Sequence, residues 1–109
     1  MAEIFKVLGQ VDPLAATLTT LYTVPGARSA VVSTISVCNR SATPTKFRIA
    51  VRPAGAAIDP KHYVAYDAEL LANEVWGFTL GIKLATTDVI SVYAQDATIS
   101  FNAFGQEIS

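Results

Sequence analysis

The stretch Lys46-Phe47-Arg48-Ile49-Ala50-Val51-Arg52 decides the fold. Phe47, Ile49 and Val51 fall on one parity, and Lys46, Arg48 and Arg52 on the other. Successive side chains of an extended chain point to opposite faces, so this period of two marks a strand with one buried and one polar side. The same signature spreads outward in both directions. WGFTLGIKL (76–84) places Trp76, Phe78, Leu80, Ile82 and Leu84 inward, with Gly77, Thr79, Gly81 and Lys83 outward. SAVVSTISVCN (29–39) brings Val31, Ile35 and Val37 into phase. DVISVYAQ (88–95) and TISFNAFG (98–105) continue through Ile90, Val92, Ala94, Ile99, Phe101 and Ala103. KHYVAYD (61–67), EIFKVLG (3–9) and TTLYTV (19–24) are shorter candidates.

Between these runs stand VPGAR, NRSATPT, RPAGAAIDP, LLANE, LATTD and AQDA, which supply the Pro, Gly, Asn and Asp that turns require. No stretch carries a 3.6-residue apolar stripe beyond about two turns; DPLAATLTTL (12–21) comes nearest, and its threonines disfavour a helix. About eight short strands at this spacing predict an all-β, single-domain antiparallel β-sandwich over residues 1–109, jelly-roll or immunoglobulin-like. The two long strands flanking NRSATPT predict a hairpin from Val31 to Val51. Residues 1–11 are expected to form an N-terminal arm or edge strand.

A chain of 109 residues is long enough to bury a core without disulfides or metal. It is 51% hydrophobic but only 16% charged, with a mean hydropathy of +0.39. That surplus of apolar side chains predicts surface covered by other protein chains. No window reaches the roughly 18 uninterrupted apolar residues of a spanning helix, so no membrane partner is expected. MAEIFKVLGQVD lacks a signal peptide's apolar block. Cys38 is the single cysteine and, set in a strand, is expected to be a buried, inert thiol.

Charge is unevenly distributed. Between Pro13 and Ile58 there is no Asp or Glu, but there are Arg28, Arg40, Lys46, Arg48 and Arg52; from Asp59 onward seven carboxylates face only Lys61 and Lys83. The net charge is nevertheless only −1. Two such halves suit a chain that is complementary to a copy of itself. Arg40, Lys46, Arg48 and Arg52, together with Glu3 and Phe5 of the N-terminal run, are therefore the candidate partner-interface residues. A slightly acidic domain whose basic strand face has no interleaved aromatics does not fit nucleic acid.

Catalytic and metal-binding patterns are weak. The single histidine, His62, could pair with Asp59 or Asp67, but one imidazole with scattered carboxylates falls short of a metal site; a histidine hydrogen-bonding its neighbour at a strand start is expected. Asp67 and Glu69 share a parity, as a glycosidase dyad would, without an apolar pocket to raise one carboxyl. No nucleophile, phosphate-loop or dinucleotide motif is present, so no catalytic residue, cofactor or metal is expected. Tyr22, Tyr63, Tyr66, Trp76 and Tyr93 raise a carbohydrate-binding module as an alternative. Trp76, though, is in phase with core residues, and Tyr63 and Tyr66 have opposite parities. Asn39-Arg40-Ser41 matches a glycosylation sequon.

Finally, the runs LYTVPGARSAVVSTISVCNRSATPTKFRIAVRPAGAAI, KHYVAYDAELLANEV, GIKLATTDVISVYA and ISFNAFGQEI resemble small virion structural proteins of tailed bacteriophages. The likeness spans Lys6 to Ile108 and lies in phrasing and strand order rather than in a catalytic motif. It implies a non-enzymatic β-sandwich in the virion, present in many copies. The leading form is a capsid decoration protein that multimerises as a trimer and contacts the major capsid protein. A tail, neck, baseplate or fibre-attachment component is the alternative within that class.

Overall fold

The computed structural model describes residues 3–79 and 81–109. Among these residues the alternating runs form nine strands: β1 (Glu3–Val11), β2 (Thr19–Thr23), β3 (Ser29–Asn39), β4 (Thr45–Arg52), β5 (Tyr63–Leu70), β6 (Val75–Phe78), β7 (Ile82–Leu84), β8 (Val89–Ala94) and β9 (Ile99–Ile108). Helix among the described residues is limited to two three-residue 3-10 turns, Pro53–Gly55 and Pro60–His62. One sheet runs β1-β9-β3-β6, with β7 also on β3; the other runs β2-β8-β4-β5. All of these strand pairings are antiparallel.

With β6 and β7 taken as two pieces of one strand position, the pairing is nested. The first strand meets the last, the second the last but one, and so on inward to β4 with β5. This is jelly-roll order, which decides between the two sandwich types the sequence allows. It also means that every strand pairing joins a strand preceding Ile58 to one following it. Inward-facing Phe47, Phe101, Ile35, Ile49, Leu70, Ile90 and Ile99 fill the space between the sheets at essentially zero exposure. Phe47 joins the layers, edge-on to Phe78 at 5.9 Å and to Phe101 at 6.2 Å between ring centroids.

Four local expectations are corrected. Residues 31–51 are not a hairpin: β3 and β4 lie in different sheets, and the chain between them arches from one layer to the other. Buried Asn39 holds that arch. Its amide donates to the carbonyls of Thr43 and Leu71, and its Oδ1 accepts from the Ser41 N–H and the Thr98 hydroxyl. Period two specifies which face a side chain takes, not which strand lies beside it, and both flanks of β3 belong to β9 and to β6 with β7. Second, residues 76–84 do not form one strand. They break into β6 and β7, and Gly81 takes a left-handed φ of 61° open to glycine; the inward expectation for Leu80 lies outside the described residues.

Third, a bulge between Val32 and Thr34 reverses the phase of β3, so Val32, not Val31, enters the core beside Ile35 and Val37. Gly105 of β9 faces this bulge: a Cβ there would lie 2.0 Å from the Val31 carbonyl oxygen. Gly9 similarly lets β1 approach β2, with only 2.0 Å between its would-be Cβ and the Leu21 oxygen. Fourth, Cys38 is half-buried rather than buried. Its register partners Val75 and Ser100 put it on the outward parity of β3, opposite Val37.

Candidate interaction surfaces

The outer face of the β2-β8-β4-β5 sheet carries the basic residues of β4, and the fold engages them within the chain. Arg48 forks onto Asp67 of β5, with Nε to Oδ1 at 2.7 Å and Nη2 to Oδ2 at 3.3 Å. Its guanidinium also lies 4.2 Å from the Tyr66 ring centroid and 4.3 Å from that of Tyr93. Asp67 reaches this position through a left-handed φ of 49°, which sets Tyr66 and Asp67, though consecutive, both toward solvent around the arginine. The hydrogen bond from Arg48 holds the Asp67 carboxyl below its ordinary range, the reverse of what a general acid at neutral pH needs, and in turn raises the guanidinium's own value.

Arg52 donates to the carbonyls of Ala56 and Gly55 and to the Ser91 hydroxyl, pinning the Pro53–Gly55 turn onto the sheet. Lys46 is exposed opposite Glu69. Arg40 stands apart from these three, donating to the Ala97 carbonyl and lining a shallow recess with Asp12, Gln10 and Asn102. The four cations thus do not form one free basic patch. Because the nested topology sets each N-terminal-half strand beside C-terminal-half strands, the basic and acidic blocks meet inside a single chain, in Arg48–Asp67 and Arg28–Glu107. Aromatics do interleave the basic face: Tyr66 and Tyr93 come from other strands, which a reading along β4 cannot reveal.

Glu107 was not legible as a site. Its side chain is 3% exposed and points between the sheets. It accepts from the Tyr22 hydroxyl at 2.6 Å and from Arg28 at 3.1 Å, with the Lys6 ammonium at 3.5 Å. The Tyr22 hydrogen bond, helped by Lys6 and Arg28, holds the Glu107 carboxyl below its ordinary value of 4.5 despite burial. Burial first, then Glu107, pushes the Tyr22 hydroxyl well above its ordinary 10.0. The available signal was parity: Glu107 continues the inward series Ile99, Phe101, Ala103.

His62 is buried at the end of its 3-10 turn. Its Nδ1 accepts the Asp59 N–H at 3.1 Å while the Asp59 carboxylate accepts from the Lys61 N–H, a reciprocal capping box. Among the described residues no three His, Cys, Asp or Glu side chains converge. Asn39, whose side chain is consumed by the arch, is not available to carry a glycan.

Among the exposed apolar side chains of the described residues, two groups stand at sheet edges. β1 is the outer strand of its sheet, paired with β9 from Glu3↔Ile108 to Val11↔Phe101, so the N-terminal run is an edge strand of the sandwich; Met1 and Ala2 lie outside the described residues. Phe5 is 78% exposed there, and Val7 and its register partner Phe104 extend the patch. At the opposite edge an open cleft of about 520 Å³ is lined by Ile58, Asp59, Pro60, Tyr63 and Tyr66. Register shifts in the β4–β5 pairing bring the two tyrosines together despite their opposite parities, with ring centroids 4.8 Å apart. Trp76 does face inward, opposite Val37, and touches Phe78. On a four-residue edge strand, however, it stays 43% exposed and rims the core rather than filling it. No family model matches the chain, and no curated protein matches it in sequence.

Proposed function

We propose that the chain is a non-enzymatic structural component of a tailed-phage virion: a multimeric capsid decoration protein that binds other copies of itself and major capsid subunits. The observation that carries this reading is the β1 edge. It is nine residues long and outermost in its sheet, and it presents Phe5 and Val7 to solvent. A long edge strand with exposed apolar side chains is a liability for a solitary protein and an asset for one that is covered on assembly. The resemblance of the strand runs to phage virion proteins agrees, and jelly rolls recur in viral capsids, an argument by analogy of scaffold. Since the charge blocks are largely reconciled within the chain, apolar contact rather than charge complementarity is the force proposed for assembly.

The test is the molar mass of the purified protein by light scattering across concentration and salt, followed by co-sedimentation with particles of the phage that encodes it. A discrete oligomer that joins the head fraction is expected. Joining tail or baseplate fractions would move the protein within the virion. A monomer that joins no particle would refute the reading. The cleft between Tyr63 and Tyr66 favours a second reading, a sugar-binding module, which a glycan array on the free protein checks.

A further inference from the structure

We propose that copies of this chain join head to tail, the β1 edge of one protomer seating Phe5 in the tyrosine cleft beside β5 of the next. The inference rests on the self-assembling reading above and specifies its geometry. These two edge surfaces differ in shape. One is a ridge of Phe5, Val7 and Phe104; the other is a recess between Ile58, Pro60, Tyr63 and Tyr66. Ridge against ridge would leave the recess empty, whereas ridge into recess buries both.

They also sit where one protomer cannot satisfy itself. β1 is terminal in its sheet on the side where Gly9 packs on β2, and β5 is terminal in the other sheet, at the end away from β2. Both edge strands therefore have one flank free of strand partners among the described residues. A nine-residue strand runs about 30 Å. The contact therefore has to extend along that edge beyond the cleft itself to approach the roughly 600 Å² per partner at the lower end of stable interfaces. Because ridge and recess are different surfaces, the contact is heterologous. Such contacts close into a ring, a trimer among them, when the rotation per step allows, and otherwise extend as a filament.

The experiment uses two single variants of the full chain, Phe5→Glu on the ridge and Ile58→Glu in the recess. Both replace exposed side chains, and circular dichroism and thermal melting verify that each is folded. Each alone is expected to be monomeric. Mixed one to one, they retain one intact ridge and one intact recess between them, so the mixture is expected to stop at a dimer of twice 11.6 kDa. A second, independent readout is a Phe5→Cys, Ile58→Cys chain with Cys38→Ser, which should form intermolecular disulfides on mild oxidation.

If Phe5→Glu dissolves the oligomer while Ile58→Glu leaves it intact, β1 pairs with β1 of its neighbour; the head-to-tail geometry is overturned and self-assembly stands. A mixture that stays monomeric, or a cysteine pair that does not cross-link, also overturns the geometry. A wild-type protein that is monomeric at every concentration overturns both. Glycan binding by that monomer would assign the cleft to sugar instead.

Discussion

Removing the Tyr22 hydroxyl tests whether the buried carboxylate of Glu107 ties the two sheets together. In Tyr22→Phe the ring and its packing stay, and one 2.6 Å hydrogen bond to a carboxylate is lost. Hydrogen bonds to charged groups contribute about 1.5–3 kcal/mol, so a loss of about 2 kcal/mol is expected. For a domain of this size that lowers the melting temperature by roughly 10 °C. Glu107→Ala should cost more, about 3 kcal/mol, because it strands the Tyr22 hydroxyl and leaves a small void. Arg28 and Lys6 add little to that figure, since their side chains are 36% and 45% exposed and can turn to water. In the double variant the two losses should not add; the shortfall, about 2 kcal/mol, is the coupling between the groups.

The pH dependence follows from the same contact. The folded pKa of Glu107 lies below its unfolded value, so its contribution is present above an ordinary carboxyl value of 4.5 and is lost as pH falls through the depressed folded value. Tyr22 has the opposite sign: its folded pKa is raised, so that contribution holds below 10.0 and is lost as pH climbs beyond it. Urea melts of wild type, both single variants and the double variant, each at acid, neutral and alkaline pH, measure all of this. A Tyr22→Phe change within about 0.5 kcal/mol of wild type, or additive single effects, would refute the argument.

Other substitutions probe other parts of the fold. Gly105→Ala drives a Cβ to within 2.0 Å of the Val31 oxygen and should cost about 3 kcal/mol or prevent folding, while Gly26→Ala, with nothing within 4 Å, should be near neutral; denaturant midpoints compare them. Trp76→Ala should cost about 1–2 kcal/mol rather than the 3–5 kcal/mol of a core aromatic, because the ring is 43% exposed. Asn39→Ala should cost about 2–4 kcal/mol by releasing the arch between β3 and β4, and the wild-type sequence passed through a glycosylating secretory pathway should show no glycan mass. Arg48→Ala forfeits two ring contacts of about 0.5–1 kcal/mol each along with the fork to Asp67, and Arg48→Lys should not restore the denaturant midpoint, since an ammonium cannot form the fork.

Alternation along single segments made most strands, and the inward residues of β4, β8 and β9, legible directly. It misplaced what depends on breaks in alternation. The bulge in β3 exchanged Val31 for Val32, and the irregular pairing of β5 with β4 joined Tyr63 to Tyr66. The candidate residues fared in the same way. Glu3 and Phe5 lie exposed on an edge as their run suggested, whereas Arg48 and Arg52 are engaged by groups far along the chain.

By itself, then, the sequence determined the class of this protein: an all-β sandwich, its strands, and the parity of the side chains that fill it. These follow from steric alternation within a few consecutive residues and need no knowledge of neighbours. Only the tertiary structure decided which strands lie side by side, and with that the meaning of the charges. Nested pairing folds the basic half of the chain against the acidic half, so a pattern that suggested attraction between copies is largely satisfied within one. It also decided that β1 and β5 end their sheets, which is why Phe5 and the tyrosine cleft remain uncovered. Partner choice is a non-local outcome of packing two twisted layers, and no window of sequence contains it.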